Sequence, residues 1–308
     1  MRVAIAGSSG LIGGAIFNRL RDSREVIRLG RRSECEIRVD FSLPETVAVV
    51  DLAGCEALVH CAGIVDEDFK RDPAAAYLQN TVSIASLAER AVSSGVRRLV
   101  YFSSTHVYGP LIGRISEQTA VNPLSDYAIA HYAAEQILKR ISSTRGLEVL
   151  VIRPNAVFGV PAEIDKFDRW SLIPFAFPLE AVYQGKIVLM TSGWQRRNFV
   201  STNDLARLVE QFLDSQDNPS SFEIVNSVGP ATLSVYEFAL KCAAAYQELS
   251  GRTCAVERPE SSSQDAGADF ELVSLSTTWQ ARENIDNFLT SFISKVLGDL
   301  QHGTKYGA

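Results

Sequence analysis

The chain has 308 residues, 46% of them apolar and 21% charged, enough to bury one large core or two closely joined lobes. A net charge of −6 without any Lys/Arg run removes the electrostatic footprint of nucleic-acid binding, so a small-molecule partner is expected. Five cysteines (Cys35, Cys55, Cys61, Cys242 and Cys254) form no CxxC pair, which points to reduced thiols rather than disulfides or zinc, and four ungrouped histidines give no metal site. No charge-free run of eighteen apolar residues occurs and no leader-like segment precedes the first strand, so a cytoplasmic protein with no membrane partner is expected.

Residues 2–6 read as a buried strand, Gly7-Ser8-Ser9-Gly10-Leu11-Ile12-Gly13 as a tight turn, and residues 15–20 as the body of a helix. Glycines at this spacing let the backbone approach a pyrophosphate, while the helix N-terminus offers unpaired N–H groups, so this is a dinucleotide site. The second strand, residues 26–29, ends in Gly30-Arg31-Arg32, where an acidic residue would hold the ribose 2′-hydroxyl of NAD. Arginine suits a 2′-phosphate through charge-assisted bonds and favours NADP(H). Arg31 and Arg32 as solvated loop charges would keep NAD(H) possible.

Apolar runs at 57–60, 98–102 and 149–152 alternate with helical patterns at 77–93 and 127–141. The expected fold is therefore α/β, a Rossmann-type doubly wound parallel sheet with its ligand at the carboxyl ends of the strands. Beyond Pro161 the pattern loosens into short strands (187–190, 222–225), helices (203–213, 234–246, 279–297) and a polar stretch at 260–269. These divide the chain into a dinucleotide-binding domain over 1–160 and a smaller mixed α/β substrate lobe over 161–308, the two interleaved as one unit.

Ser103-Ser104-Thr105-His106 at the end of a strand and Tyr127-Ala128-Ile129-Ala130-His131 in a helical stretch resemble the extended short-chain dehydrogenases/reductases, a family of sugar-nucleotide epimerases, dehydratases and ketoreductases. His60-Cys61-Ala62-Gly63 is similar to the family's cofactor-lining segment, Asp40-Phe41 to its acidic residue beside adenine, and Asn80 to an asparagine in the following helix. Arg153-Pro154-Asn155-Ala156-Val157-Phe158-Gly159 is similar to RPxxVxG near the nicotinamide, and Arg197 to an arginine on the nucleotide diphosphate. The likeness covers about residues 1 to 240 in matching order.

The resemblance implies that Tyr127 exchanges a proton with the substrate oxygen and that Ser104 hydrogen-bonds the same atom. It places Ser104, Thr105, Asn155 and Arg197 on the substrate, and implies a homodimer through helices near residues 74–94 and 127–142. The implied activity is that of a C4-type epimerase or ketoreductase acting on a nucleotide-linked sugar. Where the family motif is YxxxK, this chain has His131, one helical turn from Tyr127 and within reach of phenol or ribose, but only partly protonated near neutral pH. The substitution reads either as an altered proton relay or as a dinucleotide-binding or regulatory protein that has lost catalysis. Thr105-His106 replaces the acidic pair of dehydratases, which disfavours elimination of water. Asn155 stands one place before the family's phosphate-contacting asparagine position, held here by Ala156.

Overall fold

A computed structural model describes residues 1–215, 221–259, 269–304 and 306. Its elements begin β1 (Arg2–Ala6), α1 (Leu11–Leu20), β2 (Glu25–Gly30), β3 (Ile37–Arg38), α2 (Pro44–Ala48), β4 (Ala57–His60), α3 (Asp66–Arg71), α4 (Pro73–Asn80) and α5 (Val82–Ser93). They continue β5 (Arg98–Phe102), β6 (Gly113–Ile115), α6 (Asp126–Arg145), β7 (Glu148–Arg153), β8 (Ala156–Phe158), α7 (Ile173–Gln184), β9 (Lys186–Val188) and β10 (Arg196–Ser201). Last come α8 (Thr202–Asp214), β11 (Phe222–Asn226), β12 (Ala231–Ser234), α9 (Val235–Ser250), β13 (Ala255–Glu257), β14 (Phe270–Leu272) and α10 (Ile285–Gln301).

Seven strands form the main sheet in the order β11-β7-β5-β4-β1-β2-β3, every pair parallel. Strand order reverses between β1 and β4, so the crevice for a ligand opens at the carboxyl ends of those strands. Because helices cover both faces, the central strands are apolar throughout rather than alternating: Val3, Ala4, Ile5 and Ala6 are all fully buried. Ile16 and Leu20 of α1 with Leu205 and Val209 of α8 pack on one face, and Leu87, Ala91, Leu138 and Ile141 of α5 and α6 on the other. A third core, rich in Phe175, Phe199, Phe238 and Phe292, joins α7, α9 and α10.

Three expectations are corrected. The single helix at 77–93 is two, α4 and α5, separated by Thr81 in a non-helical conformation (φ −123°, ψ −69°). The last helix starts at Ile285, where Asn284 caps it by accepting from Asp286 N, and not at 279. The strand near 222–225 forms, but at the edge of the main sheet beside β7, while α8 packs on α1, so segments late in the chain complete the first lobe. The polar stretch at 260–269, apart from Asp269, lies outside the described residues. No described helix is long and apolar enough to cross a membrane, and no metal-ligating cluster occurs among the described residues.

Candidate active site

The turn after β1 is shaped for a phosphate. Gly7 has φ +79°, and a Cβ there would stand 2.6 Å from Ala62 N; one on Gly13 would stand 2.2 Å from Gly7 O. No side chain caps α1, whose N-cap is Gly10, so its first N–H groups and dipole are left for an anion. This observation fits the pyrophosphate of a dinucleotide to the residues present. A cleft of about 430 Å³ runs from that turn along Gly10, Leu11, Arg31, Arg32, Asp40 and Phe41 to Cys61, Ala62 and Gly63.

Arg31 is 77% exposed, with its guanidinium 3.9 Å from the Asp40 carboxylate. Asp40 is held by Ser42, whose N–H and hydroxyl donate to it at 3.0 and 2.7 Å. Arg32 donates to the carbonyl of Lys166 at 3.0 Å, and Lys166 reaches Glu34 at 2.6 Å, so the segment before α7 closes over the outer end of the cleft. Lys166 and its neighbours Asp168 and Arg169 line this cleft although their sequence carried no signal for it.

The cleft continues into a chamber of about 170 Å³ bounded by Ile12, Ser104, Tyr127, His131, Pro154 and Val157, with Cys61, Ala62 and Gly63 shared. Ser104 stands two residues after β5 and caps the turn at Thr105–Tyr108, its hydroxyl oxygen accepting from His106 N at 3.2 Å. Tyr127 stands in the first turn of α6, which Ser125 caps by accepting from Ala128 N. Burial pushes the Tyr127 phenol upward, opposed by a hydrogen bond with Ser104; Asp66 adds to the rise and Arg169 opposes it.

His131 is 3% exposed, and its Nδ1 lies 2.8 Å from the Tyr101 hydroxyl. Burial pushes it down to about 3, aided by repulsion from His106 and His60. The expected partly protonated imidazole is thereby corrected: near neutral pH it carries no charge. Asn80 lines neither cavity, another correction; it is 1% exposed and donates from Nδ2 to the Tyr101 hydroxyl at 3.1 Å. His60, pushed by burial to about 4, stacks on Tyr101 with ring centroids 6.0 Å apart. One turn beyond His131, buried Glu135 accepts from Ser103 at 2.6 Å and from Arg153 at 2.9 and 2.5 Å, fixing β5 and β7 to α6 beneath the chamber.

On the outer side, a cavity of about 320 Å³ is lined by Thr105, His106, Asn155, Gln195 and Arg197. Asn155 donates to the Thr105 hydroxyl at 2.7 Å and accepts from Asn198 N at 2.9 Å, which ties the turn after β5 to the start of β8 and to β10 while both side chains still line the cavity. Arg197 is partly buried, and burial pushes its guanidinium down. It has no carboxylate within ion-pair distance among the described residues, which leaves its charge for an anion in this cavity. Tyr101 was missed as a site residue because it reads locally as strand core, and His60 and His106, though part of the motifs named from the sequence, were given no role of their own.

Residues 3–227 match the family model described as the NAD dependent epimerase/dehydratase family. UDP-glucose 4-epimerase of Vibrio cholerae is 29% identical over 183 residues, 57% of this chain and 51% of that enzyme. The chain thus spans about half the length of that relative. GDP-6-deoxy-D-talose 4-dehydrogenase of Aggregatibacter actinomycetemcomitans is 25% identical over 241 residues, 77% and 78% of the two chains. A UDP-glucose 4-epimerase of Thermotoga maritima solved with UDP-glucose superposes with a TM-score of 0.78 at 18% identity, covering 97% of this chain and all, 100%, of that one. RMD from Pseudomonas aeruginosa, complexed with NADPH, gives 0.75 at 19% identity, covering 97% and 99%. At these identities the solved structures establish the fold.

Proposed function

The chain belongs to the NAD-dependent epimerase/dehydratase family, and we propose that it is a C4-type epimerase or ketoreductase working on a hydroxyl or keto carbon of a nucleotide-linked sugar. The observation that carries this reading is the continuity of three spaces. The dinucleotide cleft opens through Cys61–Gly63 into the Ser104/Tyr127 chamber, and Asn155 borders both that chamber and the Arg197 cavity.

A bound nicotinamide dinucleotide would supply or accept the hydride. Gly7, Gly10 and Gly13 leave space for its pyrophosphate, and Asp40 and Phe41, which line the same cleft, would meet the adenosine. The phenol of Tyr127 exchanges a proton with the substrate oxygen, and Ser104 hydrogen-bonds that oxygen and keeps it beside the phenol. Arg197 receives the diphosphate of the sugar nucleotide as a charge-assisted partner. His106 and Thr105 put no carboxylate beside the substrate, which argues against dehydration. The reach of Arg31, exposed at the end of β2, supports NADP(H) over NAD(H), and the neighbouring Asp40 carboxylate limits that preference. All five cysteines are free, which supports the reducing cytoplasm as the compartment.

One observation favours a second reading. An uncharged His131 in place of a lysine is what a dinucleotide-binding regulator without catalysis would tolerate. The test is to incubate the purified chain with NADPH or NADH and a panel of 4-keto and 4-hydroxy sugar nucleotides, following nicotinamide absorbance and product stereochemistry. Turnover of any of them supports the enzyme. Tight cofactor binding with no turnover across the panel favours the regulator.

A further inference from the structure

Asn80, Tyr101 and His131 come from three different elements, α4, β5 and α6, and all are buried. Their hydrogen bonds are assigned by distance, since the Tyr101 hydroxyl and the His131 Nδ1 can each donate or accept and the shortest contacts favour one arrangement. Asn80 Nδ2 can only donate, and it does so to the Tyr101 oxygen at 3.1 Å. The one Tyr101 proton then goes to His131 Nδ1 at 2.8 Å, its other acceptor, Asn80 Oδ1, being farther at 3.4 Å. A ring that accepts at Nδ1 carries its proton on Nε2. That Nε2 is buried and unpartnered among the described residues, on a side chain that lines the chamber beside Tyr127.

Among the described residues, none that faces this ring would hold a charge on it. Tyr101 faces it from β5, Tyr127 from its own helix, His60 from β4 and His106 from the turn after Ser104. Glu135, one turn on, is committed to Ser103 and Arg153. For Tyr127 the surrounding groups are Ser104, His106, Asp66 of α3 and Arg169, and burial outweighs the single opposing cation.

We propose that Asn80 and Tyr101 are positioning residues that lock His131 as an uncharged Nε2–H donor toward a ribose hydroxyl of the cofactor. The site thereby keeps Tyr127 as phenol at neutral pH, and the chain works as a reductase of keto sugars. This rests on the family reading above. In the reductive direction a bound reduced nicotinamide would supply the hydride to the carbonyl carbon, while the carbonyl oxygen takes the Tyr127 proton and the phenolate left behind recovers one from solvent. The reverse, oxidation of a hydroxyl, needs the phenolate at the outset and is starved of it at neutral pH.

Two measurements decide it. The first is the side-chain ¹⁵N spectrum of the four histidines (His60, His106, His131 and His302), with His131 assigned by its loss in His131→Asn. His131 should show the neutral Nε2–H pattern from pH 8 down to pH 5, ranges chosen to bracket an ordinary histidine near 6.5. A doubly protonated ring at pH 7, or the Nδ1–H tautomer, overturns the proposal, and the wild-type protein alone suffices for this arm. The second is calorimetric titration with NAD and NADP, using thermal unfolding to confirm that each variant is folded. Tyr101→Phe and His131→Asn should each weaken binding about fivefold, from loss of one hydrogen bond, and the double variant should be no weaker than the poorer single. In a His131→Lys background Tyr101→Phe should have no effect. Losses that multiply, or an equal Tyr101→Phe loss beside the introduced ammonium, contradict the lock. Absence of any wild-type cofactor binding instead removes the family-based reading, leaving the spectrum to judge the tautomer.

Discussion

Tyr127 and His131 stand one turn apart on α6 with ring centroids 4.4 Å apart and ring planes inclined at 64°, an edge-to-face pair. The imidazole is uncharged because burial holds it at about 3. A lysine there would lower the neighbouring phenol by its charge; a neutral ring does not, and burial leaves the phenol above its ordinary value. The oxidative rate should therefore climb about tenfold per pH unit from neutrality to beyond pH 9, since phenolate is the minor form throughout. The reductive rate, which uses the phenol, should stay level over the same range. His131→Lys should move the oxidative rise to lower pH by at least about one unit. Initial rates in both directions across pH check this, and an oxidative plateau already reached at pH 7 would contradict it.

Cofactor choice should depend on Arg31 and much less on Arg32. Arg31 is exposed and held only by a long, 3.9 Å ion pair with Asp40, so it can turn to a 2′-phosphate; losing such a charge-assisted contact costs about 1.5–3 kcal/mol, so Arg31→Ala should weaken NADP roughly tenfold or more and leave NAD unchanged. Arg32 is tied to Lys166, so Arg32→Ala should loosen the segment over the cleft and weaken both cofactors alike. Calorimetry with the two dinucleotides separates these outcomes; equal wild-type affinity for both removes the preference.

Arg197→Ala should weaken UDP, used as a probe of the diphosphate subsite, at least about tenfold, while the affinity for NAD is unchanged, because Arg197 lines the outer cavity and neither the dinucleotide cleft nor the Tyr127 chamber. Unaltered UDP binding would separate Arg197 from the substrate.

Acid should destabilise the fold early. His60 and His131 titrate at about 4 and about 3 in the folded chain against 6.5 when solvated. As pH falls below 6.5 the unfolded chain takes up protons that the folded chain refuses, so stability drops by about 1.4 kcal/mol per pH unit for each ring until their folded values are reached. Urea midpoints at pH 7.5, 6 and 5 should fall steadily, and His131→Asn should remove about half of the slope. A flat midpoint between pH 6.5 and 5 would contradict the burial of both rings.

The fold was legible because its signals are local: a strand, a glycine turn and an uncapped helix within residues 2–20, then apolar runs at β4, β5 and β7. Ser104 and Tyr127 were legible because one follows closely on a strand and the other opens a helix. The Asn80–Tyr101–His131 chain was not, since its members are 21 and 30 residues apart and each alone reads as core or as a motif position. The charge of His131 was misjudged for the same reason: spacing places a ring on a helix face, but packing from other strands sets its burial. The break at Thr81 and the return of β11 to the main sheet likewise depend on tertiary pairing.

Assembly is a further expectation. α5 and α6 lie side by side, with Glu89 bridging Arg140 and Arg145, and Leu78, Val82 and Ile129 are 42%, 45% and 41% exposed on these helices and on α4. A homodimer through this helical face should appear by light scattering at micromolar concentration, and Val82→Asp with Ile129→Asp should convert it to monomer. A monomeric wild type would contradict it.

The most direct test of the central claim is Tyr127→Phe, which removes one hydroxyl from the chamber and leaves the ring in place. With NADPH and a 4-keto sugar nucleotide at pH 7, the wild type should consume the reduced cofactor with formation of the hydroxyl product. Tyr127→Phe should bind cofactor with nearly unchanged affinity and turn over at least about a hundredfold more slowly, as loss of a general acid requires. Equal rates for the two proteins would contradict the account.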